Sequence, residues 1–319
     1  PVTPASGKGA DMQGLLRGLL GVGAVLAGGT YLALRLWPIG EDVARITAEG
    51  DARRGAYLAR AGGCVACHTD TASGGAALAG GAVLDTPFGS FAPPNITPDF
   101  DHGIGGWTRE DLARALRQGI SPDGRPYYPA FPYEFYADFS DQDIADLWEA
   151  LRIVPAVAET RAENDLGFPF SVRSGLKLWR ATQLAETETD ALLGRSDAWN
   201  RGRVLVEGAA HCSACHTGRG VFGGLDSSPF GGNDDLPGGS KAPSIRTDDL
   251  MARGWTEDAL VYALETGIMP TGDAFGGSMV EVVEQGTRFL DESDRRAIAV
   301  YLLGDEPRPP APEKIADAR

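Results

Sequence analysis

Cys64-Val65-Ala66-Cys67-His68 recurs as Cys212-Ser213-Ala214-Cys215-His216, 148 positions further on, and the two copies use all four cysteines of the 319-residue chain. Two thiols three residues apart with a histidine directly after them form the pattern of a c-type haem attachment site. The spacing suits addition of both thiols across the two vinyl groups of one porphyrin, and it brings the histidine beneath the iron as proximal ligand. Zinc is the main rival for paired Cys-x-x-Cys motifs. Zinc modules, however, place their pairs roughly 12 to 20 residues apart and need no histidine after each pair. The reading is therefore two covalently bound haem c groups, attached through Cys64 and Cys67 and through Cys212 and Cys215, with His68 and His216 as metal ligands.

The same register continues beyond the motifs. Gly106-Trp107-Thr108 answers to Gly254-Trp255-Thr256, Ala115-Leu116 to Ala263-Leu264, and Gly119-Ile120 to Gly267-Ile268, while Arg54-Gly55 matches Arg201-Gly202 with a one-residue slip. The chain is an internal duplication, and each copy reads as helical. Thr108 with Asp111 forms a capping-box pattern, Leu112, Ala115 and Leu116 share a face, and Gly119 supplies a stop. A last helix opens at Ser140 with Asp143, carries Ile144, Leu147, Trp148 and Leu151 inward and ends before Pro155. Asp291, Asp294, Ile298, Tyr301 and Leu302 take those parts in the second copy. Gly- and Pro-rich loops such as Thr86-Pro-Phe-Gly lie between. Helix, attachment motif, loop, helix, loop and helix resembles the order of a class I cytochrome c domain. The expected fold is all-α: two tandem class I cytochrome c domains, residues 41–154 and 197–304, preceded by an N-terminal transmembrane helix within residues 1–40. Residues 155–196 carry too many large apolar groups for a tether and are expected to pack between the domains; residues 305–319 read as a loose tail.

Seventeen uncharged residues run from Gly18 to Leu34, roughly 25 Å of helix and close to a bilayer's hydrocarbon core. Arg35 can snorkel, and Tyr31 and Trp37 suit the membrane interface. A cleavable signal peptide is the rival reading, but no A-x-A site follows the run. The expectation is a retained single-pass anchor in a bacterial inner membrane, with Lys8 and Arg17 cytoplasmic and everything after Trp37 periplasmic. The formal charge of −15 excludes nucleic acid as a natural partner and suits solubility or the steering of a basic redox partner.

Asn95-Ile96-Thr97-Pro98-Asp99, Gly103-Ile104-Gly105-Gly106-Trp107 and Tyr128-Pro129-Ala130-Phe131-Pro132-Tyr133, together with the two motifs, make residues 51–304 resemble the cytochrome c subunits of bacterial membrane-bound alcohol and gluconate dehydrogenases. The resemblance implies an electron carrier whose partners are a periplasmic or membrane-bound dehydrogenase and a respiratory or photosynthetic complex. Two motifs stand here where three are usual in those subunits. The family places a methionine ligand where this chain has Phe131. The repeat register independently leads from Phe131 to Met279, the candidate sixth ligand of the second haem, with Met269 as competitor. The first copy has no such methionine. His102 is its one spare histidine and a candidate ligand, against the alternatives of a surface residue or of a tyrosine from the Tyr127–Tyr136 stretch. Trp107, Trp255 and Arg125 are candidates for propionate contacts. A dihaem redox enzyme of peroxidase type, using an open first iron, is the alternative to electron transfer.

Overall fold

A computed structural model describes residues 8–160, 162–184, 192 and 194–304; the side chain of Lys8 and the tail from Asp305 lie outside the described residues. Helix α1, Lys8–Leu36, is longer than the uncharged run, because Arg17 and Arg35 are good helix formers and do not interrupt it. It stops before Pro38, which disfavours helical geometry at Trp37. Its 25 residues Met12–Leu36 have mean hydropathy 1.6 and none is buried against the rest of the protein. Lys177 Nζ donates to the carbonyls of Arg35, at 3.0 Å, and of Trp37, supplying partners that a helix C-terminus lacks.

The first copy builds α2 (Ala52–Ala61), α3 (Cys64–His68), a short antiparallel hairpin of β1 (Leu84–Thr86) and β2 (Gly89–Phe91), α4 (Arg109–Gln118) and α5 (Asp141–Arg152). Apart from this hairpin the named elements of the described residues are helical, in keeping with the expected all-α class. Thr86 Oγ1 donates to the Gly89 carbonyl at 2.8 Å and closes the turn, while Asp165 pairs with Ser90 through both backbone bonds and extends the ladder. Thr108 and Ser140 form full capping boxes with Asp111 and Asp143, and Gly119 ends α4 at φ +61°. Leu112, Leu116, Phe135, Ile144 and Leu147 fill one core. There α2 crosses α5 at Gly55, where a Cβ would lie 1.8 Å from the Asp146 carbonyl oxygen. Arg54 clamps the crossing with a bidentate pair to Asp146 at 2.7 and 2.9 Å.

Between the copies, α6 (Leu176–Gln183) and the chain before it lie on the first body. Asn95 Nδ2 donates to the Val157 carbonyl at 2.7 Å, Tyr128 Oη to the Phe170 carbonyl at 2.9 Å, and Arg173 to the Pro126 carbonyl at 3.0 Å.

The second copy comprises α7 (Asp197–Arg203), which runs on into a π turn at Val204–Ala209, then α8 (Ser213–His216), α9 (Thr247–Ala252), α10 (Glu257–Thr266), α11 (Ser278–Gln285) and α12 (Glu292–Leu303). Helix α7 crosses α12 at Gly202, where a Cβ would lie 2.0 Å from the Ala297 carbonyl oxygen. The start of α12 departs from the sequence reading. Asp291 stands at the N-cap position without a side-chain cap, and Asp294 does not cap back. Its carboxylate instead takes a bidentate pair from Arg201, at 2.8 and 2.6 Å, and a hydrogen bond from Tyr57 Oη at 2.6 Å. A charge-assisted fork outweighs one capping bond, and Tyr57 belongs to the first body, so this aspartate also joins the two.

The second core gathers Leu205, Val206, Leu250, Leu264, Ile298 and Leu302, with Ala61 from α2 among its buried members. Arg60 spans the seam further, donating to the Gln285 carbonyl at 3.1 Å and lying 4.2 Å over the Phe289 ring.

Candidate haem sites

Each attachment motif is one short helical turn, Cys64–His68 in the first copy and, with Cys212 as N-cap in helical geometry, Ser213–His216 in the second, so both cysteines of a motif face the same way and the histidine follows one position on. No two of the four cysteines form a disulfide. Burial pushes the Cys64 and Cys212 thiols up to about 12. Cys67 is open to solvent on one side, yet crowding on the other raises it to about 11, with Cys215 and Glu281 adding to the effect. Thiols so placed are protonated at ordinary pH when no group is bound.

Both histidines are held alike. His68 Nδ1 lies 2.7 Å from the Pro94 carbonyl and His216 Nδ1 2.7 Å from the Pro243 carbonyl. A carbonyl accepts only from N–H, which assigns the proton to Nδ1 and leaves the Nε2 lone pair for iron. Burial lowers both imidazoles, with the carbonyl bond pulling the other way, so both are neutral as ligation requires.

The next residue in each copy is a buried threonine. Thr69 Oγ1 accepts from the Leu78 amide at 3.1 Å and Thr217 Oγ1 from the Phe230 amide at 3.0 Å. Leu78 and Phe230 both adopt left-handed backbone, at φ 59° and 60°, and their carbonyls accept from the Ile96 and Ile245 amides, two residues beyond the two prolines. One loop scaffold therefore braces the proximal histidine in each copy. These threonines and the proline carbonyls escaped the motif reading. The signal was present: the repeated unit is Cys-x-x-Cys-His-Thr, and Pro94-x-Ile96 recurs as Pro243-x-Ile245.

Half-buried apolar side chains flank each motif. Cys64, Val65, Ile96, Trp107 and Phe131 pack on the first core, and Cys212, Phe230, Ile245, Trp255 and Met279 on the second. An apolar rim around two thiols and an imidazole with a free Nε2 fits a porphyrin in both places. Met279 opens α11 within this set. Met269 lies in a turn where its amide bonds the Asp273 carbonyl at 2.7 Å, and it is absent from the second core's contacts. Phe131 has aromatic neighbours in Tyr127, Tyr133 and Tyr136 at ring separations of 5.6, 6.2 and 6.0 Å.

His102 is exposed and its Nδ1 pairs with Asp99 Oδ1 at 2.9 Å. The loop that carries it folds back through Ile104 N, which donates to the Thr97 carbonyl at 2.9 Å. Arg125 pairs with Asp123 at 2.5 Å. His211, just before the second motif, is half-buried against Phe135 and Tyr136 of the first copy.

The two sites adjoin. Helix α11 packs on α3, and Thr71 Oγ1 donates to Glu281 Oε1 at 3.4 Å. Ala214, inside the second motif, packs on the first core.

No protein-family model matches the chain. It is 40% identical over 267 residues to a dihaem c-type cytochrome of Cereibacter sphaeroides, covering 79% of this chain and 85% of that protein. It is 38% identical over 260 residues to the cytochrome c subunit of gluconate 2-dehydrogenase from Pantoea cypripedii, with 78% of this chain and 58% of that subunit covered. With the cytochrome c subunit of the quinone alcohol dehydrogenase of Gluconobacter oxydans it shares 39% identity over 261 residues, covering 78% of this chain and 54% of the subunit. The chain thus spans little more than half the length of those two dehydrogenase subunits. Two attachment motifs, each with its histidine braced by a proline carbonyl, and this similarity across most of the first relative place the chain in the family of dihaem c-type cytochromes, carrying two covalently bound haem c groups.

Proposed function

We propose that this chain is a membrane-anchored, periplasmic electron relay, with tandem class I cytochrome c domains at residues 41–154 and 197–304. Its electrons come from a periplasmic or membrane-bound dehydrogenase and leave to a respiratory or photosynthetic complex; α1 holds it to the bacterial inner membrane. The observation that carries this reading is the contact between the two sites: α11, which bears Met279, packs on α3, which bears Cys64, Cys67 and His68. Bound haem supplies the one-electron ferric/ferrous couple. The protein's share is to hold two such groups at fixed, short separation. Cys64, Cys67, Cys212 and Cys215 tether them, His68 and His216 ligate through Nε2, and Tyr57, Arg60 and Asp294 lock the seam. Met279 is the sixth ligand of the second haem, and its thioether favours ferrous iron. Phe131, at the equivalent register position, cannot ligate, which gives the first haem the lower potential and makes it the point of entry.

The test is intramolecular equilibration in the full-length protein after rapid reduction of one haem. Equilibration faster than about 10³ s⁻¹, the upper range of ordinary enzyme turnover, is expected of a relay. Two haems that fail to exchange electrons within one chain on that scale would overturn the reading. Phe131 also favours a second reading, peroxide reduction at an open first iron, which sustained peroxide turnover with a small reductant would establish.

A further inference from the structure

The chain carries a formal charge of −15, yet from Leu166 to Leu184 it has Arg173, Lys177 and Arg180 and no carboxylate. None of these three cations is in an ion pair among the described residues. Arg180 stacks over Tyr133 at 5.0 Å and Arg173 over Tyr128 at 4.8 Å, while Lys177 reaches the last carbonyls of α1. Large apolar groups of the same stretch face solvent: Phe168 is 86% exposed and Leu178 54%. Two residues after Lys177, Trp179 Nε1 donates to the Phe222 carbonyl at 2.7 Å. That bond draws in the tip of a tight turn closed by Gly220 and Gly224, on which Val221 is 90% and Phe222 69% exposed. Phe170 packs edge-on against Phe88 at 5.1 Å, and the backbone at Gly223 approaches that same Phe88 ring, so linker and turn belong to one surface. Trp37, 47% exposed, stands beside it at the end of α1.

Burying apolar tips in protein is the ordinary solution, and none of the described residues does so for Phe168, Val221 or Phe222. Interleaved cations and bulky apolar side chains, in a chain otherwise strongly acidic, match the chemistry of an anionic bilayer surface. Position supports the same occupant. Lys177 binds the carbonyls where α1 ends, so a bilayer that takes up α1 brings Trp37, Lys177, Leu178 and the Val221–Phe222 tip to headgroup depth. We propose that residues 168–178 and the 221–222 tip rest on anionic lipid headgroups around the exit of α1, giving the haem bodies a second attachment to the membrane and a set orientation on it. This rests on the reading of α1 as an anchor.

The test is hydrogen exchange on the full-length holoprotein in nanodiscs of phosphatidylcholine with phosphatidylglycerol, compared with detergent micelles. The expected result is protection of α1 in both media and several-fold slower exchange of the peptides covering 168–180 and 219–225 in the anionic nanodiscs alone. Val221→Asp with Phe222→Asp should abolish that slowing at both segments while leaving α1 protection and the haem spectrum unchanged. Equal exchange of both segments in lipid and detergent, with α1 protected, overturns the proposal and leaves the anchor standing. Segments slowed only on adding a partner dehydrogenase would assign the surface to protein and overturn it too. Loss of α1 protection in nanodiscs, with both segments exposed, would sink the anchor reading along with it.

Discussion

Gly55→Ala tests the packing on which the first haem body depends. The added methyl carbon would stand 1.8 Å from the Asp146 carbonyl oxygen and 2.8 Å from the Leu147 nitrogen, both backbone atoms that cannot rotate aside. Ordinary contact needs roughly 3.5 Å, so α2 and α5 must separate by more than about 1 Å or tilt. That movement also stretches the Arg54–Asp146 fork, 2.7 and 2.9 Å across the same crossing. Overpacking of this kind costs about 3 kcal/mol, and about 1 kcal/mol returns because alanine is the better helix former, leaving roughly 2 kcal/mol. For a body of about 100 residues this lowers the midpoint of thermal unfolding by roughly 8–16 °C. Thermal melts of the holoprotein followed by haem absorbance, beside Gly202→Ala and Gly167→Ala, make the comparison. Gly202 meets the Ala297 carbonyl at 2.0 Å and should behave alike in the second body, whereas Gly167 has no neighbour within 4 Å and should be neutral. A Gly55→Ala protein as stable as Gly167→Ala would refute the helix-crossing argument.

Met279→Ala should turn one haem high-spin or water-ligated and lower its potential, while Met269→Ala should leave both spectra intact; the reverse pattern in optical and redox titrations would show the register to be misread. Because Phe131 cannot ligate, one haem of the two should bind carbon monoxide after reduction in the wild type, and His102→Ala should not change the amount. Carbon monoxide binding that appears only in His102→Ala would instead make His102 the ligand. Burial pushes the Asp294 carboxyl up, but the bonds from Arg201 and Tyr57 more than reverse this and hold it below its ordinary 3.8. Its contribution is thus present above that value and lost as pH falls through the lower, folded one. Acid unfolding of Asp294→Asn should accordingly lose part of its pH dependence below about pH 4, and an unchanged acid profile would count against the pairing.

Attachment chemistry was legible in the sequence because it is local: two thiols three residues apart and a histidine one residue later occupy one helical turn whatever surrounds them. The duplication was legible for a related reason. Capping residues such as Thr108 and Ser140, and stops such as Gly119, act within a turn of where they stand, so equal sequence produces equal structure. The proposed register from Phe131 to Met279 rests on that equality. Asp294 marks where local reading fails, since its capping position was overridden by Arg201, 93 residues away, and by Tyr57 in the other copy. Tertiary structure alone decided what reaches the histidines: Pro94 and Pro243 lie 26 and 27 residues beyond them, in loops tied back by bonds such as those from Ile96 and Ile245 to the left-handed Leu78 and Phe230. Tertiary structure also decided the contact of α11 with α3 and the reach of Lys177 to the end of α1, 140 residues earlier. Such pairings depend on how whole bodies dock, which no spacing along the chain encodes.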